Sequence, residues 1–266
     1  MRRIWWWVLG LLLLFVTLWK RQPSLTRAQT PPWPGRRRVI APSFRPPADG
    51  DKVRLALFDA DSTLRVAPSG KVSANAGDDV AILPLVAPTL ARVASEGYLI
   101  AILSNQAGIE HGYITATVAD QALQTTMARL AAGGGSVHYY DFAEGKGPDR
   151  KPELGMLERL AGLVKRQLGR DIDWAGSFMV GDAGWKEGVD REPDGSPGED
   201  VSDSDRRFAE NARQAFGGMQ FFHPREFFGW KAYGIKNFKT YQDLEKAWQA
   251  HPDLRPDSFP SPLARA

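Results

Sequence analysis

Two aspartates one residue apart, Asp59 and Asp61, close an apolar, β-prone run made of Val53, Leu55, Ala56, Leu57 and Phe58. Such a run reads as a buried strand, and an open parallel sheet places its ligand site beyond the carboxyl ends of its strands. Both carboxylates are therefore expected to emerge where ligands bind. Taken alone the pair reads more readily as an Asx turn or a helix cap. What favours chemistry is that three later segments bring the parts needed for phosphoryl transfer, each at or near the end of a predicted strand.

The second segment, Leu103-Ser104-Asn105-Gln106-Ala107-Gly108, follows the apolar run YLIAIL. The hydroxyl of Ser104 and the amide of Asn105, followed by glycine and exposed backbone N–H groups, suit the oxygens of a phosphoryl group, although an ordinary strand-to-helix turn uses the same residues. The third is Asp149-Arg150-Lys151-Pro152. Pro152 can begin the helix expected from Glu153, which puts Lys151 near a positive helix end and within reach of the same crevice. The fourth, Phe178-Met179-Val180-Gly181-Asp182-Ala183, is an apolar strand ending in Gly-Asp. Another carboxylate at another strand end is what a Mg²⁺ site requires, because that ion prefers hard oxygen ligands. Asp205, in Ser202-Asp203-Ser204-Asp205-Arg206, either supports that site or caps a helix.

The elements that must position these groups alternate from Val53 onward. Helices are predicted over 85–96, 117–132, 153–168 and 205–215, and strands over 53–59, 98–103, 137–142, 177–180 and 221–223. Glycines at 97, 133 to 135 and 169 punctuate the helix ends. A βαβα order of this kind argues for an α/β domain with a parallel sheet covered on both faces. A polar loop rich in Gly, Pro and Asp runs from Gly181 to about Asp203.

With 266 residues there is room for one α/β domain of about 200 residues plus extensions. The 43% hydrophobic and 24% charged residues are ordinary for a globular chain. Having 0 Cys excludes disulfides, thiol nucleophiles and Cys-ligated zinc. Nine of the 34 Lys/Arg and one of the 31 Asp/Glu fall in residues 1–50, so the rest of the chain holds 25 bases against 30 acids despite the net charge of +3. An anionic partner must then be held by local groups or a metal rather than by a global field.

The first 21 residues carry an uncharged apolar run, Ile4 to Trp19, flanked by Arg2 and Arg3 and by Lys20 and Arg21, with tryptophans at both ends. This is the pattern of a transmembrane anchor with interfacial aromatics. A signal segment cleaved near Ala28 is the competing reading, and a downstream start codon a third. Six bases after the run against two before it favour a retained anchor with a cytoplasmic catalytic domain; export or a soluble cytoplasmic chain are the alternatives. Residues 22–50 read as a Pro/Arg-rich linker, 51–250 as the folded domain and 251–266 as a Pro-containing, disordered tail.

Taken in order, FDADSTL, LSNQAG, RKPELGML and VGDAG resemble the motifs of the haloacid dehalogenase (HAD) superfamily of aspartate-nucleophile phosphatases. Within it, SNQAGI, RKPELGM, SDSDRRFAEN and FFHPREFFGW resemble the phosphatase domain of the polynucleotide kinase 3′-phosphatases, over roughly Val53 to Trp230. Ser62 departs from the glycine usual in that family. The kinase half is also missing, because no G-x-x-x-x-G-K-[ST] occurs and Gly70-Lys71-Val72-Ser73 lacks its spacing, so no kinase nucleotide site is expected. The resemblance implies a Rossmann-like doubly wound sheet without a large cap domain, and Asp59 as nucleophile. It further implies Asp61 as general acid and base, Ser104, Asn105 and Lys151 as phosphate ligands, and Mg²⁺ held by Asp59, Asp61 through its backbone carbonyl, and Asp182.

The gaps from Asp61 to Ser104 and from Ser104 to Lys151 each hold about one helical connection and one strand or turn, so an open site suited to a phosphorylated polymer end is expected. Trp230, Lys231, Tyr233, Lys236, Phe238, Lys239 and Tyr241 interleave aromatic and basic side chains, either as a surface for single strands or as core residues with solvated neighbours. The leading reading is a DNA 3′-phosphatase acting in end repair. A phosphatase of histidinol phosphate or of a sugar phosphate is the alternative, although sugar-bisphosphate members of the superfamily usually carry a Cys-rich zinc loop. A membrane-tethered, non-catalytic binding protein on the same fold is a third reading.

Overall fold

The apolar runs become neighbouring parallel strands because each is followed by a turn and a helix long enough to carry the chain back. The computed structural model describes residues 39–48, 52–185, 200 and 202–255. In chain order the strands are β1 (Lys52–Val53), β2 (Leu55–Phe58), β3 (Arg65–Val66), β4 (Ala81–Ile82), β5 (Leu99–Asn105), β6 (Tyr139–Ala143), β7 (Asp171–Ile172), β8 (Phe178–Val180) and β9 (Gln220–Phe222). The helices are α1 (Val86–Ser95), α2 (Ala107–Glu110), α3 (Ala116–Ala132), α4 (Gly155–Leu163), α5 (Ser204–Phe216), α6 (Pro224–Phe227) and α7 (Tyr241–Ala250). A π-helical turn, Val164–Leu168, prolongs α4 to the left-handed Gly169.

The main sheet has the order β6-β5-β2-β8-β9 with every pair parallel. From β2 the chain steps through β5 to β6, then crosses back to add β8 and β9 on the other side. The direction of winding thus reverses at β2, and an open sheet of this kind forms its crevice at such a switch point. The first residue beyond β2 is Asp59, whose N–H donates to the Val180 carbonyl at 2.9 Å. That bond sets the end of β2 level with the end of β8.

Alternation within the strands splits the core in two. Ala56, Phe58, Ile100, Ile102 and Val180 face one layer, packed against α1, α3 and α7. Leu55, Leu57, Ala101, Leu103 and Met179 face the other, packed against α4 and α5. Each buried aliphatic side chain contributes on the order of 2 kcal/mol, so two covered faces hold the strand ends rigidly. The doubly wound sheet expected from the sequence is therefore present.

Several boundaries differ from the sequence reading. The helix after Lys151 starts at Gly155 rather than Glu153. The segment between Asp61 and α1 contains a small antiparallel pair, β3 with β4, whose strands of two residues each are too short to show in the sequence pattern. Ile40, Ala41 and Phe44, placed above in the linker, are buried, and the Ala41 N–H donates to His138 O at 2.8 Å. At the other end, Pro252–Leu254 form a 3₁₀ turn with Leu254 buried, so the first residues of the supposed tail are ordered. Trp230, Phe238 and Tyr241 are core side chains and form no stacking surface for nucleic-acid bases. The apolar run from Ile4 to Trp19 lies outside the described residues, and among those described no helix is long and apolar enough to cross a membrane.

The turn after β2 explains the glycine usual at position 62. Ser62 has φ 58°, in the left-handed region, while its N–H donates to Arg65 O at 2.8 Å to close the turn. A Cβ in that conformation costs ~1 kcal/mol. Ser62→Gly is expected to raise the unfolding free energy by about that amount in urea titrations. An unchanged or lowered midpoint would contradict this account of the turn.

Candidate active site

A lysine ammonium can be buried only if anions meet it, and Lys151, 2% exposed, is met twice. Its Nζ donates to Asp59 Oδ1 at 2.6 Å and pairs with Asp205 Oδ1 at 2.6 Å. The backbone that delivers it is clamped by Asn105, whose Oδ1 accepts the Lys151 N–H at 2.9 Å and whose Nδ2 donates to the Lys151 carbonyl at 3.0 Å. Asn105 stands at the last position of β5, so the clamp ties the lysine loop to a strand end. Arg159 of α4 braces the same loop by donating to Asp141 at 2.9 and 2.8 Å and to Asp149 at 2.9 Å.

Asp205 lies in the first turn of α5, 1% exposed, and its Oδ2 accepts the Ala183 N–H at 3.1 Å. Gly181 permits that approach, because a Cβ there would stand 2.2 Å from Asp205 Oδ2. The small residue in Val-Gly-Asp is thus required by the neighbouring carboxylate. Asp182 follows, its N–H donating to Thr63 Oγ1 at 3.1 Å and its Oδ2 accepting from Lys239 Nζ at 2.9 Å.

Asp61 is held on both oxygens. Arg65 Nε donates to Oδ1 at 2.9 Å and Gln106 Nε2 donates to Oδ2 at 2.9 Å. Gln106 also donates to Ser104 Oγ at 2.9 Å, and Arg65, itself 1% exposed, donates through Nη1 to Thr126 Oγ1 at 2.9 Å. A continuous network therefore runs from Ser104 to Thr126 through Asp61.

The structure thus brings Asp59, Lys151 and Asp182 together around one buried cluster. Ser104 joins through Gln106 and Asp61, and the Asn105 side chain is engaged with the Lys151 backbone. The sequence reading singled out neither Arg65 nor Gln106, and it named Lys239 only within a possible nucleic-acid surface. Gln106 stands in the SNQAG motif beside two chosen residues, whereas Arg65 and Lys239 became partners only through the fold.

One oxygen each of Asp59, Asp182 and Asp205 lie within 4.8 Å of one another. Three hard carboxylate donors at that spacing fit a divalent cation such as Mg²⁺, which takes one or two carboxylates and keeps water on its remaining positions. The electrostatics agree. Burial, with the charges of Asp205 and Asp61, pushes the Asp59 carboxyl up to about 7 even though Lys151 opposes the shift. Burial likewise raises Asp182 and Asp205 against the pull of Lys239 and Lys151 respectively. Burial works against the Lys151 ammonium, but Asp205 and Asp59 outweigh it and hold its pKa above the ordinary value. The pocket carries more negative charge than its cations offset, a deficit that a divalent ion would remove.

A buried aspartate at the switch point of a doubly wound sheet, paired with a lysine from a later loop and flanked by further carboxylates, is consistent with a phosphatase of the HAD superfamily. Residues 54–228 match the family model described as polynucleotide kinase 3 phosphatase, and the chain belongs to that family. A curated relative, the D-glycero-beta-D-manno-heptose-1,7-bisphosphate 7-phosphatase of Pseudomonas aeruginosa, is 31% identical over 108 residues, 38% of this chain. The match spans 56% of that relative's length. Among solved structures, D,D-heptose 1,7-bisphosphate phosphatase from B. bronchiseptica, complexed with magnesium and phosphate, is 18% identical with a TM-score of 0.47, covering 73% of this chain and 87% of its own. A HAD-like protein from Mesorhizobium loti is 17% identical with a TM-score of 0.46, covering 84% and 92%.

The raised Asp59 pKa has a measurable sign. Between 3.8 and about 7 the folded chain keeps a proton that the unfolded chain has lost, so this group's contribution to stability falls as the pH rises through about 7. In the presence of a chelator, Asp59→Asn is expected to gain in Tm on the parent as the pH goes from about 5 to about 8. A difference that does not vary with pH would contradict the assignment of a strained, buried charge to Asp59.

Proposed function

We propose that this chain is a Mg²⁺-dependent phosphomonoesterase that removes 3′-phosphates from polynucleotide ends through a phosphoaspartate at Asp59. The observation that carries the reading is the buried Lys151 ammonium 2.6 Å from Asp59, with a second, positioned carboxylate at Asp61. A carboxylate approaches a dianionic phosphate only where cations screen the repulsion, and Lys151 stands where it can do so.

In the first step an Asp59 oxygen attacks phosphorus while the bond from phosphorus to the ester oxygen breaks, and Asp61 gives its proton to that leaving oxygen. In the second, Asp61 takes a proton from a water whose oxygen attacks the same phosphorus, and the bond to Asp59 breaks to release phosphate. Ser104 and Lys151 bind the phosphoryl oxygens, and Asn105 keeps Lys151 in place. Asp59, Asp182 and the Asp61 backbone carbonyl, with Asp205 beside them, would hold Mg²⁺, which supplies positive charge to the phosphoryl oxygens when bound.

Two observations support the polynucleotide substrate. The family match covers the whole run from β2 to the aromatic FFHPREFFGW segment, and the connection from Asp61 to α1 holds a hairpin rather than a cap domain. A sugar-bisphosphate substrate is the second reading, favoured by the 31% identical relative, and the 0 Cys of this chain weigh against it.

Phosphate release with Mg²⁺ should be fastest from a 3′-phosphorylated oligonucleotide, compared with its 5′-phosphorylated twin, histidinol phosphate and a heptose 1,7-bisphosphate. Asp59→Asn should lower that rate roughly 10³-fold or more, as loss of a nucleophile does. Preference for the heptose ester would transfer the same mechanism to a sugar substrate. Release that survives Asp59→Asn would overturn the proposal.

A further inference from the structure

Residues 229–255 lie beyond the family-matched span of 54–228, yet one of their side chains reaches the acidic cluster. The segment is pinned before it gets there. Trp230 is buried and its Nε1 donates to Pro84 O at 2.8 Å, while Phe238, also buried, packs edge-on against Trp230 with ring centroids 4.7 Å apart. On the other side of Lys239, Thr240 and Asp243 form a capping box at the start of α7. Asp243 Oδ2 also accepts the Lys239 N–H at 3.1 Å. The backbone of Lys239 is thereby fixed between a core aromatic and a capped helix.

From this position the Lys239 ammonium reaches Asp182 Oδ2 at 2.9 Å, its side chain 36% exposed and that of Asp182 17%. The lysine therefore covers the solvent side of a carboxylate that is also one of the three clustered oxygen donors. Among the described residues, the cationic side chains in direct contact with Asp59, Asp61, Asp182 and Asp205 are Lys151, Arg65 and Lys239. Removing Lys239 takes one positive charge away from this group of carboxylates. An ammonium and a divalent ion cannot both take full advantage of the same carboxylate.

We propose that Lys239 is a tethered counter-ion that competes with the divalent cation for Asp182, so that the C-terminal segment sets the metal affinity of the site. The proposal rests on the reading that the acidic cluster takes such a cation, and it concerns a residue that makes no contact with the nucleophile. A partly exposed ion pair is a modest competitor, so its removal should strengthen metal binding several-fold rather than by orders of magnitude.

The test is calorimetric titration of MgCl₂ into chelator-stripped full-length protein without substrate, comparing the parent with Lys239→Met, Lys239→Gln and Lys239→Arg. Both neutral variants are expected to bind Mg²⁺ about fivefold tighter, with Lys239→Arg near the parent. Two neutral side chains of different polarity guard against a folding artefact in either one. Equal or weaker binding in both neutral variants, with the parent binding measurably, would overturn the role of Lys239 alone. No measurable Mg²⁺ binding in any of the four proteins would overturn it together with the metal reading of the cluster.

Discussion

A buried ammonium between two buried carboxylates is the constraint on which the rest of the structure depends. Lys151 would be costly to bury alone, and so would Asp59 and Asp205. Each makes the others tolerable, and the surrounding structure exists to keep them in contact. Asn105 fixes the lysine backbone, Gly181 leaves room for Asp205, and the bond from Asp59 N–H to Val180 O aligns two strand ends. The balance is deliberately incomplete, because Asp59 is still lifted to about 7. A site that is short of positive charge when empty is suited to gain it from a cation and to accept a phosphate afterwards.

The topology makes this possible at little cost in chain length. The four chemical segments are far apart in sequence but end at one edge of one sheet, since β2, β5 and β8 are adjacent and parallel. Asp61 belongs to a second network, reaching Ser104 through Gln106 and Thr126 through Arg65. The proposed nucleophile and the proposed acid and base are thus positioned by different supports. Asp59 is set by Lys151, and Asp61 by Arg65 and Gln106.

Much of this was legible in the chain. The strands at β2, β5 and β8 announced themselves as short apolar runs, and Asp59, Asp61, Ser104 and Asp182 stand at or near their ends because ligand sites form there, while Lys151 comes from the loop after β6. Asp205 was legible as a support for the metal site or as a helix cap, and nothing local decided between the two, since only the fold shows that Gly181 lets its carboxylate reach Lys151. Arg65 and Lys239 were not legible as partners. Arg65 reads as a polar residue after Leu64, but the hairpin of β3 and β4 buries it against Asp61. Lys239 lies in a stretch whose aromatic and basic alternation suggested a nucleic-acid surface. The aromatics of that stretch instead fill the core, which leaves one of its lysines directed at Asp182. Local pattern specifies elements and strand ends; long-range ion pairs depend on packing that the pattern does not encode.

The account stands or falls on a covalent bond to Asp59. Its most direct test is to trap the enzyme during turnover of a 3′-phosphorylated oligonucleotide, reduce it with borohydride and locate the modified residue by peptide mass spectrometry. An acyl phosphate at Asp59 would be reduced to homoserine at that position, in a peptide that is unmodified when substrate is omitted. Reduction at another aspartate, or none during demonstrable phosphate release, would contradict the assignment of Asp59 as nucleophile.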